Sequence, residues 1–308
     1  MKNQPLDSLN VSVIKALEFL SENKIAKINL KKYSFPIVIG SGNAYNAGQI
    51  IFAQQKAIFA NESNCQEIFK RYQDLIKKKI IKEAVIISAS GEKDSIWEVK
   101  LAKQKKLKTT LLTCSPKSSA AKLADEVIVF NKLSEPYTYN VSTYLGMILA
   151  ASGEKPKDIL SFILRLKLSK NFKKYRAYSF VLPDEVSHVS AMLEIKKSEL
   201  FGPNLSLRAF SYGEARHAKF VIREKDELVI SLGENKYFGD PKSRFQIKNI
   251  KNAGPGLSMA LGYFLIGLIQ EAKPNYFEKH IRNFCADYGY RAYPGAKPFS
   301  VIVPGNKK

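Results

Sequence analysis

Four short apolar runs punctuate the first half of this chain: 36-PIVIG-40, 84-AVIIS-88, 109-TTLLT-113 and 126-EVIVF-130. Their apolar residues are continuous rather than alternating, which marks strands buried on both faces. Segments of helical spacing fall between them, over 44–58, 64–78, 95–106 and 118–124. Strand and helix in alternation predict a parallel sheet covered by helices on both sides. A helix over 11–24 leads the series and a long helix over 136–152 leaves it, with 153-GEKPK-157 as the linker. The second half repeats the scheme more loosely. Strands are expected at 178–182, 206–210, 218–222 and 227–231, helices at 184–200, 256–272 and 275–286, and a Gly/Pro-rich tail over 289–305. The expected organisation is a helical lead (1–34), a first α/β domain (35–153) and a second (154–308). The two domains are doubly wound parallel-sheet α/β/α layers related by duplication, the repeat being visible in element order.

The chain's 308 residues suffice for two such cores. The longest apolar stretch, 259-MALGYFLIGLIQEA-272, is too short for a membrane span and reads as a core helix. The opening MKNQPLDSLN lacks the apolar run of a signal peptide, so a cytoplasmic location is expected. Cys65, Cys114 and Cys285 show no paired spacing, and the histidines are His188, His217 and His280; both facts argue against a disulfide frame or a structural metal. Lys+Arg of 49 against Asp+Glu of 28 gives a net charge of +21. The positive residues are mostly lysine and scattered, so nucleic acid ranks last among the partners and an anionic metabolite suits the charge as well.

Ligands of open parallel sheets bind beyond the carboxyl ends of the strands. There the first half carries two polar turns, 40-GSGNAYNAG-48 and 88-SASGEKDS-95. Serine hydroxyls, glycine N–H groups and a helix N-terminus together make a phosphate cradle. Its candidate residues are Ser41, Gly42, Asn43, Ser88 and Ser90, with Lys93 adding charge. The turn lacks the third glycine of a dinucleotide fingerprint, and no nucleotide-triphosphate loop is present. In the second half, 194-EIKKSE-199 sets Lys196 and Glu199 on one helical face, and 213-GEARH-217 supplies Glu214 and His217. Glu199 as general base and His217 as acid would serve an aldose–ketose proton transfer. On spacing alone such a pair is more often a solvated ion pair, and a lone histidine more often structural.

The stretches 37-IVIGSGNAYNAG-48, 85-VIISASGE-92 and 113-TCSPKSSAAKLADEVIVF-130 resemble a sugar isomerase (SIS) domain, and 134-SEPYTYNVSTYLGMILA-150 resembles the helix after its sheet. The second half resembles the second SIS domain in the isomerase portion of glutamine–fructose-6-phosphate aminotransferase, through 196-KKSE-199 and 209-AFSYGEARH-217. The resemblance implies two flavodoxin-like or Rossmann-like SIS domains and a phosphorylated sugar as substrate. It casts Glu199 as the base between C1 and C2, Lys196 as the lysine beside it, and His217 as the ring-opening histidine, which in such enzymes can come from a neighbouring subunit. Lys297, in 294-PGAKPF-299, matches the family's C-terminal lysine. A homodimer and no metal or redox cofactor are implied. The sequence departs from the family at Asn43 and Ala44, where a second Ser or Thr is usual, and at Ala89 and Lys93, where a Gln and a Thr are usual, and its Glu199–His217 spacing is longer. The second domain lacks a glycine turn after its first strand, so one phosphate site per chain is expected. With no glutaminase segment expected ahead of the sheet, free ammonia, a separate glutaminase partner or no nitrogen chemistry are the alternatives. A non-catalytic phosphosugar sensor is the rival reading.

Overall fold

A computed structural model describes residues 6–220, 222–248, 253–286 and 298–306. In chain order the elements open with α1 (Leu9–Glu22), β1 (Ile37–Gly40), α2 (Asn43–Ile51), β2 (Ile58–Ala60), α3 (Cys65–Arg71), α4 (Gln73–Lys77), β3 (Glu83–Ile87) and α5 (Asp94–Gln104). They continue with β4 (Lys108–Thr113), β5 (Glu126–Val129), β6 (Glu135–Pro136), α6 (Val141–Ser152), α7 (Pro156–Leu164), β7 (Ala177–Leu182) and α8 (Val189–Phe201). The remainder are β8 (Ser206–Ser211), α9 (Tyr212–His217), β9 (Glu227–Leu232), β10 (Arg244–Ile247), α10 (Pro255–Gln270), α11 (Tyr276–Ala286) and β11 (Ile302–Val303).

The chain divides into two compact units, each with its own parallel sheet and helices on both faces, an α/β architecture. The first-sheet unit comprises residues 22–134, 142–153 and 304–308. Its strands run in the order β2-β1-β3-β4-β5, all parallel. β1 and β3 pair in a register that ends at Gly40 opposite Ile87. The chain leaves β1 toward β2 on one side while β3 lies on the other, so the β1/β3 seam is the topological switch point. Ile37, Ile39, Ala84, Ile86 and Leu111 form the core under α3 and α5. On the opposite face α2 comes very close: a Cβ on Gly48 would lie 2.9 Å from Val38 Cγ1. Only glycine lets the helix sit there.

The second-sheet unit holds residues 1–21, 135–141 and 154–303. Its sheet runs β10-β9-β7-β8, again all parallel. β6 and β11 form a separate antiparallel pair. Glu154, within the expected linker, accepts hydrogen bonds from Gly256 N (2.7 Å) and Leu257 N (2.8 Å). A carboxylate thus satisfies the orphan donors at the start of α10.

Several elements differ from the sequence expectation. Helix 44–58 ends at Ile51, and the residues beyond supply the unanticipated edge strand β2. Helix 64–78 breaks at Tyr72 into α3 and α4. Residues 118–124 form turns, because Ala120 N turns aside to Gly91 O (3.0 Å) instead of starting a regular ladder. Helix 136–152 starts only at Val141, after Thr138 and Asn140 adopt positive φ. Helix 184–200 starts at Val189, and the linker's Pro156 opens α7. Residues 218–220 and 222 are not strand: Phe220 N bonds back to Ala215 O (3.2 Å) as the exit of α9. Among the described residues no helix is long and apolar enough to cross a membrane.

Candidate functional site

The first-sheet unit presents its turns at the switch point. Beyond Gly40 come Ser41 and Gly42, and α2 starts at Asn43. Gly42 has φ 55° and ψ −122° and turns the chain into the helix, where Ala44 N donates to Ser41 O (3.1 Å). Beyond β3, Ser88 Oγ accepts from Gly91 N (3.1 Å) and Ser90 Oγ from Glu92 N (3.3 Å). Both hydroxyls thereby organise the turn while keeping their own O–H to donate. Lys93 then takes φ 56° and ψ −129°, almost the backbone of Gly42, and α5 starts at Asp94. A lysine held at this φ is strained, and such outliers concentrate where a ligand is gripped. Its partial burial lowers its affinity for its proton, while Asp94 beside it acts the other way.

So Ser41, Gly42, Asn43, Ser88, Ser90 and Lys93 all belong to two turns flanking one seam. Asn43 Oδ1 is buried without a hydrogen-bond partner, a polar atom of the kind that bound water or a ligand satisfies. A third turn, 113–120, which the sequence reading of the cradle did not include, is stitched to the second. Cys114 N donates to Ala89 O (3.1 Å), Ser119 N to Glu92 Oε1 (2.9 Å), and Ser118 lies against Gly91. A Cβ on Gly91 would fall 2.0 Å from Ser118 Oγ, so this contact demands glycine. Between the turns lies a cavity of about 640 Å³ lined by Ser90, Glu92, Ser115, Lys117, Ser118 and Asn306.

The second-sheet unit holds the charge pair. Lys196 is fully buried on α8; its Nζ donates to Glu199 Oε2 (2.6 Å) and to Thr138 O (2.5 Å) and lies 5.5 Å from the centre of the Tyr263 ring. Thr138 reaches this point with φ 75°, a costly backbone for a β-branched residue. Burial pushes the Glu199 carboxyl above its ordinary value, and the Lys196 ammonium pulls the other way. The result is a carboxylate with 22% of its side chain exposed, fixed by one fully buried cation, the physical setting of a general base. Thr138 and Tyr263 were not foreseen; neither has a local sequence signal.

His217 ends α9 and is exposed. Among the described residues nothing links it to Glu199, and the topology explains why. Glu199 is in the last turn of α8, which returns the chain to the start of β8, whereas α9 begins where β8 finishes. Six strand residues at ~3.3 Å each put the two at opposite ends of the strand, about 16–20 Å of chain apart. Glu214 is a cap: its Oε2 accepts from Ser211 N (2.8 Å) while Ser211 Oγ accepts from Glu214 N (3.3 Å). Lys297 lies outside the described residues. Among the described residues no group of three or more His, Cys, Asp or Glu could hold a metal ion.

No family model matches the sequence, and no curated protein matches it. Solved structures do resemble the fold. The C-terminal domain of glucosamine-fructose-6-phosphate aminotransferase from Francisella tularensis superposes with a TM-score of 0.55 at 15% identity, covering 86% of this chain and 92% of that one. Glucosamine-6-phosphate deaminase from Thermotoga maritima gives 0.55 at 15% identity, covering 85% and 91%. Tagatose-6-phosphate ketose/aldose isomerase from Escherichia coli gives 0.52 at 13% identity, covering 86% and 87%. At such identities the likeness establishes the α/β fold.

Proposed function

We propose that this chain is a phosphosugar isomerase of the SIS type, acting on a hexose 6-phosphate or its amino-sugar relative. The carrying observation is the Lys196–Glu199 pair, a largely buried carboxyl raised by burial and held by one fully buried ammonium. The three solved structures named above are an aminotransferase domain, a deaminase and a ketose/aldose isomerase of phosphosugars, which supports the same substrate class. In this reading Ser41, Gly42, Asn43, Ser88, Ser90 and Lys93 hold the phosphate through hydroxyls, helix N–H groups and one cation. Glu199 takes the proton from one carbon and returns it to its neighbour through an enediol-type intermediate. Lys196 keeps the carboxylate ionised and oriented. His217 opens the sugar ring, and its distance from Glu199 along β8 suits a histidine supplied by a second copy of the chain in a homodimer. Lys297 is the candidate contact to the open-chain sugar. Ammonia, free or from a separate glutaminase partner, would extend the same proton transfer to amino-sugar phosphate synthesis or deamination.

The separation of Glu199 from His217 favours one other reading, a phosphosugar sensor without turnover. Proton NMR in D2O with fructose 6-phosphate and glucosamine 6-phosphate, with and without ammonia, distinguishes them. Deuterium entering C1 or C2, and lost in Glu199→Gln, is the expected result; ammonia dependence would name the subclass. Sugars that raise the melting temperature without any exchange would establish the sensor instead.

A further inference from the structure

Asn306 lies far from the turns in sequence, yet it is bonded into them. Its Nδ2 donates to Cys114 O (2.8 Å), its Oδ1 accepts from Lys132 N (2.8 Å), and its own N–H donates to Lys132 O (3.1 Å). Gly305 N adds a bond to Ser134 Oγ (2.8 Å). A Cβ on Gly305 would sit 2.8 Å from the Lys132 carbonyl oxygen and the Leu133 backbone, so the segment lies flat against the loop that follows β5.

The Cys114 peptide is therefore held from two directions. Its carbonyl receives the Asn306 amide, and its N–H donates to Ala89 O, between Ser88 and Ser90. Thr113 Oγ1 (3.3 Å) and Ser115 Oγ (3.4 Å) donate to that same Ala89 carbonyl. Asn306 also lines the cavity beside Ser90. Removing its amide frees the Cys114 carbonyl and the Lys132 N–H together, loosening the support on which the second turn rests. A side chain with both a donor and an acceptor is required, because Cys114 offers an acceptor and Lys132 a donor.

We infer that Asn306 is a positioning residue for phosphate recognition, setting the Ser88–Ser90 turn through the Cys114 peptide without itself touching the phosphate. The inference rests on the proposed cradle and adds a component from outside its motifs.

The test compares the full-length wild type with Asn306→Ala, Asn306→Asp and, as a control, Thr109→Val. Thr109 also bonds within this unit, to Asp125 (2.8 Å), but at the opposite end of β4. Calorimetric titration with inorganic phosphate and with fructose 6-phosphate is run below the melting temperature of every variant. Asn306→Ala is expected to weaken both ligands about five- to thirtyfold, the loss of one or two positioned hydrogen bonds. Asn306→Asp keeps the acceptor for Lys132 but sets an oxygen against the Cys114 carbonyl, and should weaken binding at least as much. Thr109→Val should cost stability but leave affinity within twofold, which separates positioning from loss of stability. Amide spectra should show Ser90 and Gly91 shifting in Asn306→Ala before any ligand is added. Wild-type binding with unchanged affinity in either Asn306 variant overturns the inference and leaves the cradle standing. Equal weakening in Thr109→Val and Asn306→Ala also overturns it. A wild type that binds neither ligand removes the cradle, and the inference with it.

Discussion

Glu98 offers the most demanding test of the energetics. It lies on α5, 1% exposed, and its Oε1 has no hydrogen-bond partner. Burial, then the charges of Asp94 and Glu62, push its carboxyl from the ordinary 4.5 to about 8. Nearby Cys65, raised by burial and then by Glu98 to about 12, stays a neutral thiol throughout. The native state therefore holds the Glu98 proton up to about pH 8, while the unfolded chain releases it near 4.5. Stability from this group is present in full below pH 4.5 and falls as pH rises, until the native carboxyl ionises too. At ~1.36 kcal/mol per pH unit, the interval from 4.5 to about 8 corresponds to about 5 kcal/mol. Glu98→Gln keeps the shape and cannot ionise, so it should erase this slope. The chain's single tryptophan, Trp97, is the adjacent residue on α5 and donates to Asp94 Oδ1 (3.1 Å), so its fluorescence reports unfolding of this unit. Urea titrations from pH 5 to 9 should find variant and wild type within about 1 kcal/mol at the acid end. By pH 8.5 the variant should be about 3–5 kcal/mol more stable. A difference that stays constant across the range would refute the reasoning, because it would mean that Glu98 ionises alike in both states.

Two further substitutions probe the candidate sites. Lys93→Gly should relieve the φ 56° backbone and stabilise the first-sheet unit by about 1 kcal/mol. It should also weaken phosphate binding, a trade seen by pairing a thermal melt with a phosphorus NMR titration; a lower melting temperature would show that the lysine is unstrained. Glu199→Gln and His217→Ala should each lack C1/C2 exchange alone, yet an equal mixture refolded together should recover about a quarter of wild-type turnover, the share of intact composite sites in randomly paired dimers. No recovery would mean that His217 does not serve a partner's Glu199.

The strands that the sequence announces are those whose runs are long enough to carry a pattern. β1 and β3 are largely apolar and β4 sets two leucines among threonines, yet all three are buried almost throughout, and their positions could be read within a residue or two. β2 has only Ile58–Ala60, so the helical pattern before it runs on unbroken by eye. The 118–124 segment has good helix formers, but Gly91 O takes the N–H of Ala120. That is a tertiary bond overriding local propensity. The two glycine-serine turns were legible because their chemistry is local: each needs only a strand end, a few hydroxyls and a helix start. Asn306 was not, since its partners Cys114 and Lys132 are distant in sequence and no spacing rule joins them.

The Lys196–Glu199 pair shows where local reading stops. Three residues apart on a helix, the two would ordinarily form an ion pair in water that contributes little. What changes them is α10, whose Met259–Gly262 stretch is wholly buried and lacks a polar face. A Cβ on Gly262 would come 2.6 Å from Leu193 Cδ2, one turn before Lys196, so α10 packs closely on α8 there. Tyr263 follows directly, its ring beneath the Lys196 ammonium. Water is excluded from the lysine, whose charge is then met by Glu199 and the carbonyl of Thr138, and burial raises the Glu199 carboxyl while the ammonium beside it pulls it back down. The cover that α10 lays over Lys196, rather than the three-residue spacing, thus sets 196-KKSE-199 apart from a solvated surface pair.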